Sequence, residues 1–172
     1  MLRPLLSWVL ASAMAPTLAG IPLQGGEDRT ARATAQIVTS ILEYTRWPTP
    51  TNPVQLCVVG PALHAGGLTG LVLSDGRPIQ RIPLPAGGPL TIQNCDALYI
   101  GRLSQDQARR WTAATRGAAV LTIAEDDPEC RSEAMFCLLF QPGSLSFRLS
   151  IDAVARSRVR VDPRVLRLAR EP

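Results

Sequence analysis

Four cysteines, Cys57, Cys95, Cys130 and Cys137, all lie behind an N-terminal segment laid out for export, and this combination constrains the fold more than any other feature. The segment has one charge, Arg3, then the apolar run Leu5-Leu6-Ser7-Trp8-Val9-Leu10-Ala11, and it closes on small residues at Thr17-Leu18-Ala19. That is the order of a secretory signal peptide, so residues 1–19 read as a leader cleaved after Ala19. The apolar run is shorter than the roughly 20 residues a spanning helix needs. No cysteine stands near Ala19 to accept a lipid. In an oxidising compartment an even cysteine count reads as two disulfides, and four cysteines allow three pairings. The spacing of Cys130 and Cys137 suits a local clip between a loop and the next strand, in which case Cys57 and Cys95 would join two strands. No C-x-x-C pair is present, which argues against both a zinc site and dithiol redox chemistry, so no metal is expected.

The 172 residues, 46% hydrophobic and 19% charged, supply one ordinary core and exclude a multidomain enzyme. All 18 basic residues are arginine. Without lysine there is neither P-loop nor Schiff-base chemistry. Loss of the leader takes Arg3 with it and lowers the formal charge from +4 to +3. In an exported protein such a balance points to acidic partners and away from nucleic acid.

Residues 20–27 read as a disordered lead-in to a single domain over 28–172. Asp28 can cap a helix running through Arg46, with Ala33, Ile37, Val38, Ile41, Leu42 and Thr45 on its buried face. Trp47-Pro48 ends it, because the residue before proline avoids the helical region. Val54 to Gly60 is a nearly continuous apolar run, as in a strand buried on both faces of a parallel sheet. Residues 61–90 are the least regular stretch, with a weak glycine-spoiled helix at 61–68 and a peripheral strand at Ile79 to Leu84 limited by prolines. Cys95 to Gly101 reads as a strand. Ser104 and Gln107 then form a capping box opening a helix that buries Ala108, Trp111 and Thr115 and stops at Gly117. Ala118 to Ala124 completes a strand–helix–strand unit with a right-handed crossover. Ala134 to Phe140 and Ser144 to Ser150 form a hairpin, the second strand alternating apolar and polar residues as expected toward an edge. A short helix starts near Asp152, and Asp162-Pro163 opens a terminal helix with Val165, Leu166 and Leu168 as its apolar residues. The expected fold class is α/β, a small, mostly parallel sheet with flanking helices, stapled by two disulfides.

Few residues offer chemistry. His64 would have to be the base of any hydrolase, yet no G-x-S-x-G elbow supplies a nucleophile, and it reads as an exposed loop histidine. Glu125, Asp126, Asp127 and Glu129 lack the alternating spacing of a calcium loop and read as a solvated turn. No catalytic residue and no cofactor are assigned. The strongest charge feature is the arginine cluster near the C-terminus, where guanidinium groups stand beside Val159, Val161 and Leu166, the mixture favoured at protein interfaces. Arg148, Arg158, Arg160 and Arg164 are the candidate partner-binding residues. Trp47 and Trp111 read as core anchors.

Several of these segments stand out together, beginning with Ile41-Leu42-Glu43-Tyr44-Thr45-Arg46-Trp47-Pro48, Leu56 to Gly60 and Cys95 to Gly101. Phe147 to Ala153 and Val159 to Ala169 complete the set. In this order and spacing, with the cysteine positions, the chain resembles the YfiR-like family of periplasmic regulators from about Arg29 onward. The resemblance implies the pairings Cys57–Cys95 and Cys130–Cys137, a periplasmic location and a tendency to homodimers. It also implies a binding function: holding inactive the periplasmic sensor domain of a YfiN-like membrane diguanylate cyclase, with relief by a YfiB-like outer-membrane lipoprotein. Cyclic-di-GMP signalling and biofilm formation would be the output. The glycine- and proline-rich stretch 61–90 departs from the family pattern. The competing expectation is a periplasmic small-molecule binding domain with a cleft at the carboxyl ends of the parallel strands near Gly60 and Gly101.

Overall fold

The computed structural model describes residues 21–22 and 27–169; the expected leader, 1–19, lies outside the described residues. Chain order gives β1 (Ile21–Pro22), α1 (Glu27–Glu43), β2 (Thr45–Arg46), β3 (Val54–Val59), β4 (Ile79–Leu84), β5 (Ala97–Ile100) and α2 (Gln105–Ala114). It continues with β6 (Leu121–Ala124), β7 (Phe136–Gln141), β8 (Ser144–Leu149), α3 (Ile151–Ala155) and β9 (Arg160–Val161). The main sheet has the order β1-β8-β7-β6-β5-β3-β4. Its central pairs, from β4 through β7, are parallel, while β7–β8 and β1–β8 are antiparallel. The result is the expected α/β class: a mostly parallel sheet with helices on both faces.

Helix α1 covers one face. Ala33, Ile37, Val38, Ile41 and Leu42 are buried against Leu56, Val58, Tyr99, Ile123 and Phe136, the 3.6-residue stripe meeting alternate residues of the strands. The helix stops at Glu43, three residues short of the expected end. Thr45 is fully buried and its hydroxyl donates to Ile41 O at 2.8 Å, while Asp162 N–H donates to Tyr44 O at 2.9 Å. Carbonyls of the last turn are thus claimed by these two donors, and Thr45–Arg46 leave the helix to pair antiparallel with Val161 and Arg160.

On the other face α2 packs Ala108 and Trp111 onto Cys57, Val59, Leu98 and Ile100. Its start is the predicted capping box: Ser104 Oγ accepts the Gln107 N–H and Gln107 Oε1 accepts the Ser104 N–H. The helix ends at Ala114, with buried Thr115 as its cap, and Gly117 follows at φ +72°, a left-handed conformation open to glycine. Two disulfides lie on this face. Cys57–Cys95 ties β3 to the residues entering β5, and Cys130–Cys137 ties the acidic loop to β7.

Further boundaries differ from the sequence expectation. Within the lead-in 20–27, Ile21–Pro22 pair with Leu145–Ser144 and Glu27 already belongs to α1. The weak helix at 61–68 contracts to one 3-10 turn at Ala65–Gly67, where the Gly67 Cα approaches α1 so closely that a Cβ would stand 2.6 Å from Ala31 O. The terminal helix is a 3-10 turn, Pro163–Arg167, opened by Asp162, whose carboxylate accepts the Arg164 N–H. Its three-residue period keeps Val165 in the core and turns Leu166 outward, 39% exposed.

Candidate partner-binding surface

The C-terminal segment builds its surface by strand alternation. Val159 is 4% exposed and joins the core, with half-buried Val161 packed against it, while Arg158 and Arg160 between and before them are exposed. The β2–β9 ladder then sets Arg46 directly opposite Arg160. Two like charges at directly opposed positions are unfavourable, and Arg46 is partly diverted by donating to Glu43 O at 2.6 Å. Next along the chain, Arg164 donates to Asp162 through Nη2 at 2.6 Å. That hydrogen bond first, then the Arg164 N–H, hold the Asp162 carboxyl at about 2, below the usual carboxylate range. The sequence candidates thus separate. Arg158 and Arg160 present exposed guanidinium groups with no ion pair among the described residues, whereas Arg164 is committed to Asp162. Arg148 stands apart on β8, exposed, across from Cys137.

Sequence reasoning missed the most constrained charge. Glu125, read as part of a solvated turn, is 3% exposed at the end of β6, where Oε1 accepts the Leu63 N–H at 2.8 Å and the His64 N–H at 3.2 Å. It ties the irregular stretch after β3 to the end of β6. Its Oε2 and the Tyr99 hydroxyl are both buried without a hydrogen-bond partner among the described residues. Burial first, then the Glu125 charge, push that hydroxyl far above its usual range and keep it protonated. Nothing in the acidic run distinguishes Glu125 from Asp126 or Glu129; only its position, last residue out of a buried strand, could have. Asp127 is spent locally as well, accepting the Arg131 and Ser132 N–H groups at 2.9 Å each. His64 is half-buried instead of exposed, because its ring lies 4.2 Å from that of Phe140. Trp111 is 1% exposed, and half-buried Trp47 donates Nε1–H to Asp96 O at 2.9 Å, so both tryptophans anchor structure.

The crest between β3 and β5, where a doubly wound sheet opens its cleft, is filled by the chain itself. A Cβ on Gly60 would stand 2.6 Å from Leu103 Cδ2, and one on Gly101 2.6 Å from Pro61 O. A cleft of about 300 Å³ opens at the carboxyl ends of β5 and β6, lined by Gly101, Leu103, Ala108, Ala124, Asp127 and Arg131, so it includes Gly101 but not Gly60 of the two glycines where a cleft is expected. Among the described residues no group of three or more His, Cys, Asp or Glu side chains is placed to hold a metal ion.

The fold is thus a mostly parallel α/β sheet with two disulfides and an arginine-bearing terminal ribbon. The chain belongs to the YfiR/HmsC-like family, whose model matches residues 31–170. That family consists of periplasmic regulators of diguanylate cyclase signalling and not of enzymes.

Proposed function

We propose that the protein is a periplasmic adaptor that binds the periplasmic sensor domain of a YfiN-like membrane diguanylate cyclase and holds the enzyme inactive. A YfiB-like outer-membrane lipoprotein relieves the repression by sequestering the adaptor, and the adaptor acts as a homodimer. The observation that carries this reading is the segment leading into and through β9, where Arg158 and Arg160 have no ion pair among the described residues and flank the apolar support of Val159 and Val161. Coupling follows if the adaptor binds one conformational state of the sensor better than the other.

The test uses the full-length cyclase in membrane vesicles with the exported, oxidised protein added on the sensor side. Product formation is expected to fall in a saturable way, and Arg158→Glu/Arg160→Glu is expected to need at least tenfold more protein for the same effect. Undiminished cyclase output at saturating protein would refute the reading.

A further inference from the structure

The two edges of the main sheet are treated differently, and we infer that the open one, on β8, receives an extended segment of the partner as an added strand. This rests on the adaptor reading above and specifies how the partner is held. An exposed strand edge is a template for another chain, and proteins guard edges they do not use. The β4 edge is guarded on either side of Arg81, whose charged side chain is exposed. Ile79 N–H donates outward to Leu71 O at 2.8 Å, Val72 and Pro78 form an antiparallel bridge, and Pro83 has no N–H to offer.

The β8 edge is covered only at its start, where β1 pairs with Ser144 and Leu145. Gln141 pairs with Ser144 across a two-residue turn, and Ser150 N–H donates to Met135 O at 2.8 Å. Both fall on the set of positions whose main-chain groups face β7. Antiparallel alternation therefore directs the N–H and C=O of Leu145, Phe147 and Leu149 away from β7. Ile21 pairs with Leu145, which demonstrates that this edge accepts an antiparallel strand. Among the described residues no main-chain partner meets the outward groups of Phe147 or Leu149.

Side chains define what fits. Phe147 faces the α1 core at 5% exposure, and Arg148 points to the other face, exposed and without an ion pair among the described residues. The matching segment carries an acidic residue opposite Arg148 between two apolar residues that extend the α1-side core. Main-chain hydrogen bonds supply the attachment and this alternation supplies the choice of partner.

Residue-resolved amide exchange on the exported, oxidised protein tests this, alone and with the periplasmic domain of the cyclase. In the free protein the Phe147 and Leu149 amides are expected to exchange at least tenfold faster than those of Ser146 and Arg148, and to slow at least tenfold in the complex. Leu149→Pro, which removes an outward N–H while sparing the bonds to β7, and Arg148→Glu are each expected to weaken binding at least tenfold. A complex in which both amides stay fast, with both variants binding as the parent does, overturns strand addition while leaving the adaptor reading intact. Slow exchange of both amides in the free protein overturns it too, because the edge is then covered by the chain itself. Absence of any complex overturns the adaptor reading and this inference with it.

Discussion

The two faces of the sheet are built with different resources. Under α1 lies a continuous cluster of 25 buried residues that draws on α1, the parallel strands and the C-terminal segment. Under α2 the corresponding cluster has eight, two of which are the paired Cys57 and Cys95. A third cluster of three buried residues beside the acidic loop contains Cys137, bonded to Cys130. The covalent links thus fall on the side where packing is thin, while the thick side has none. A ten-residue α2 with a single large anchor, Trp111, contributes little buried area, and a cross-link that restricts the unfolded chain compensates for what burial does not provide.

Removing the long link is the largest expected perturbation. Cys57 and Cys95 are 38 residues apart, so Cys57→Ala/Cys95→Ala is expected to cost about 4 kcal/mol on the loop-entropy account, read as a lowered midpoint in denaturant titration. A variant that unfolds at the parent's midpoint breaks the contrast between the faces. On the thick side, Leu42→Ala is expected to cost about 3 kcal/mol through lost burial and a residual cavity, with both disulfides intact. Cys130 and Cys137 close a seven-residue separation, and their double alanine variant is expected to lose about 2.5 kcal/mol, less than the long link, in the same titration.

Glu125→Ala strips two backbone N–H groups of their acceptor and is expected to cost about 2 kcal/mol. Amide exchange should localise the loss to Leu63 and His64, while Trp111 and its neighbours stay as protected as in the parent. The smallest effect concerns Asp162. Its carboxyl lies at about 2 in the folded protein against 3.8 ordinarily, so its contribution to stability is complete above roughly pH 4 and disappears as pH falls through 2. The melting difference between the parent and Asp162→Asn should therefore be constant at neutral pH and close over that window.

What could be read from the sequence was whatever local pattern determines. The capping box at Ser104 and Gln107, the apolar stripe of α1, the buried strands at Val54, Ala97 and Leu121 and the hairpin turn at Pro142-Gly143 each depend on neighbours within a few residues. The disulfide pairing was open on spacing and followed from the family resemblance. What stayed hidden depends on contacts distant in sequence. Thr45–Arg46 leave α1 because a strand more than a hundred residues later offers pairing, and Glu125 is buried because the turn after β3 brings it two N–H groups. The surface residues Arg158 and Arg160 were legible as a charged run, but their opposition to Arg46 was not, since it exists only through the β2–β9 ladder.

The proposed function requires contact with the sensor domain of a diguanylate cyclase. Calorimetric titration of the exported, oxidised protein into that isolated domain measures it most directly. The account predicts saturable binding that weakens at least tenfold when Arg158 and Arg160 are both replaced by glutamate. A titration without heat or saturation, repeated at several temperatures so that a vanishing enthalpy is not mistaken for absence of binding, would contradict it.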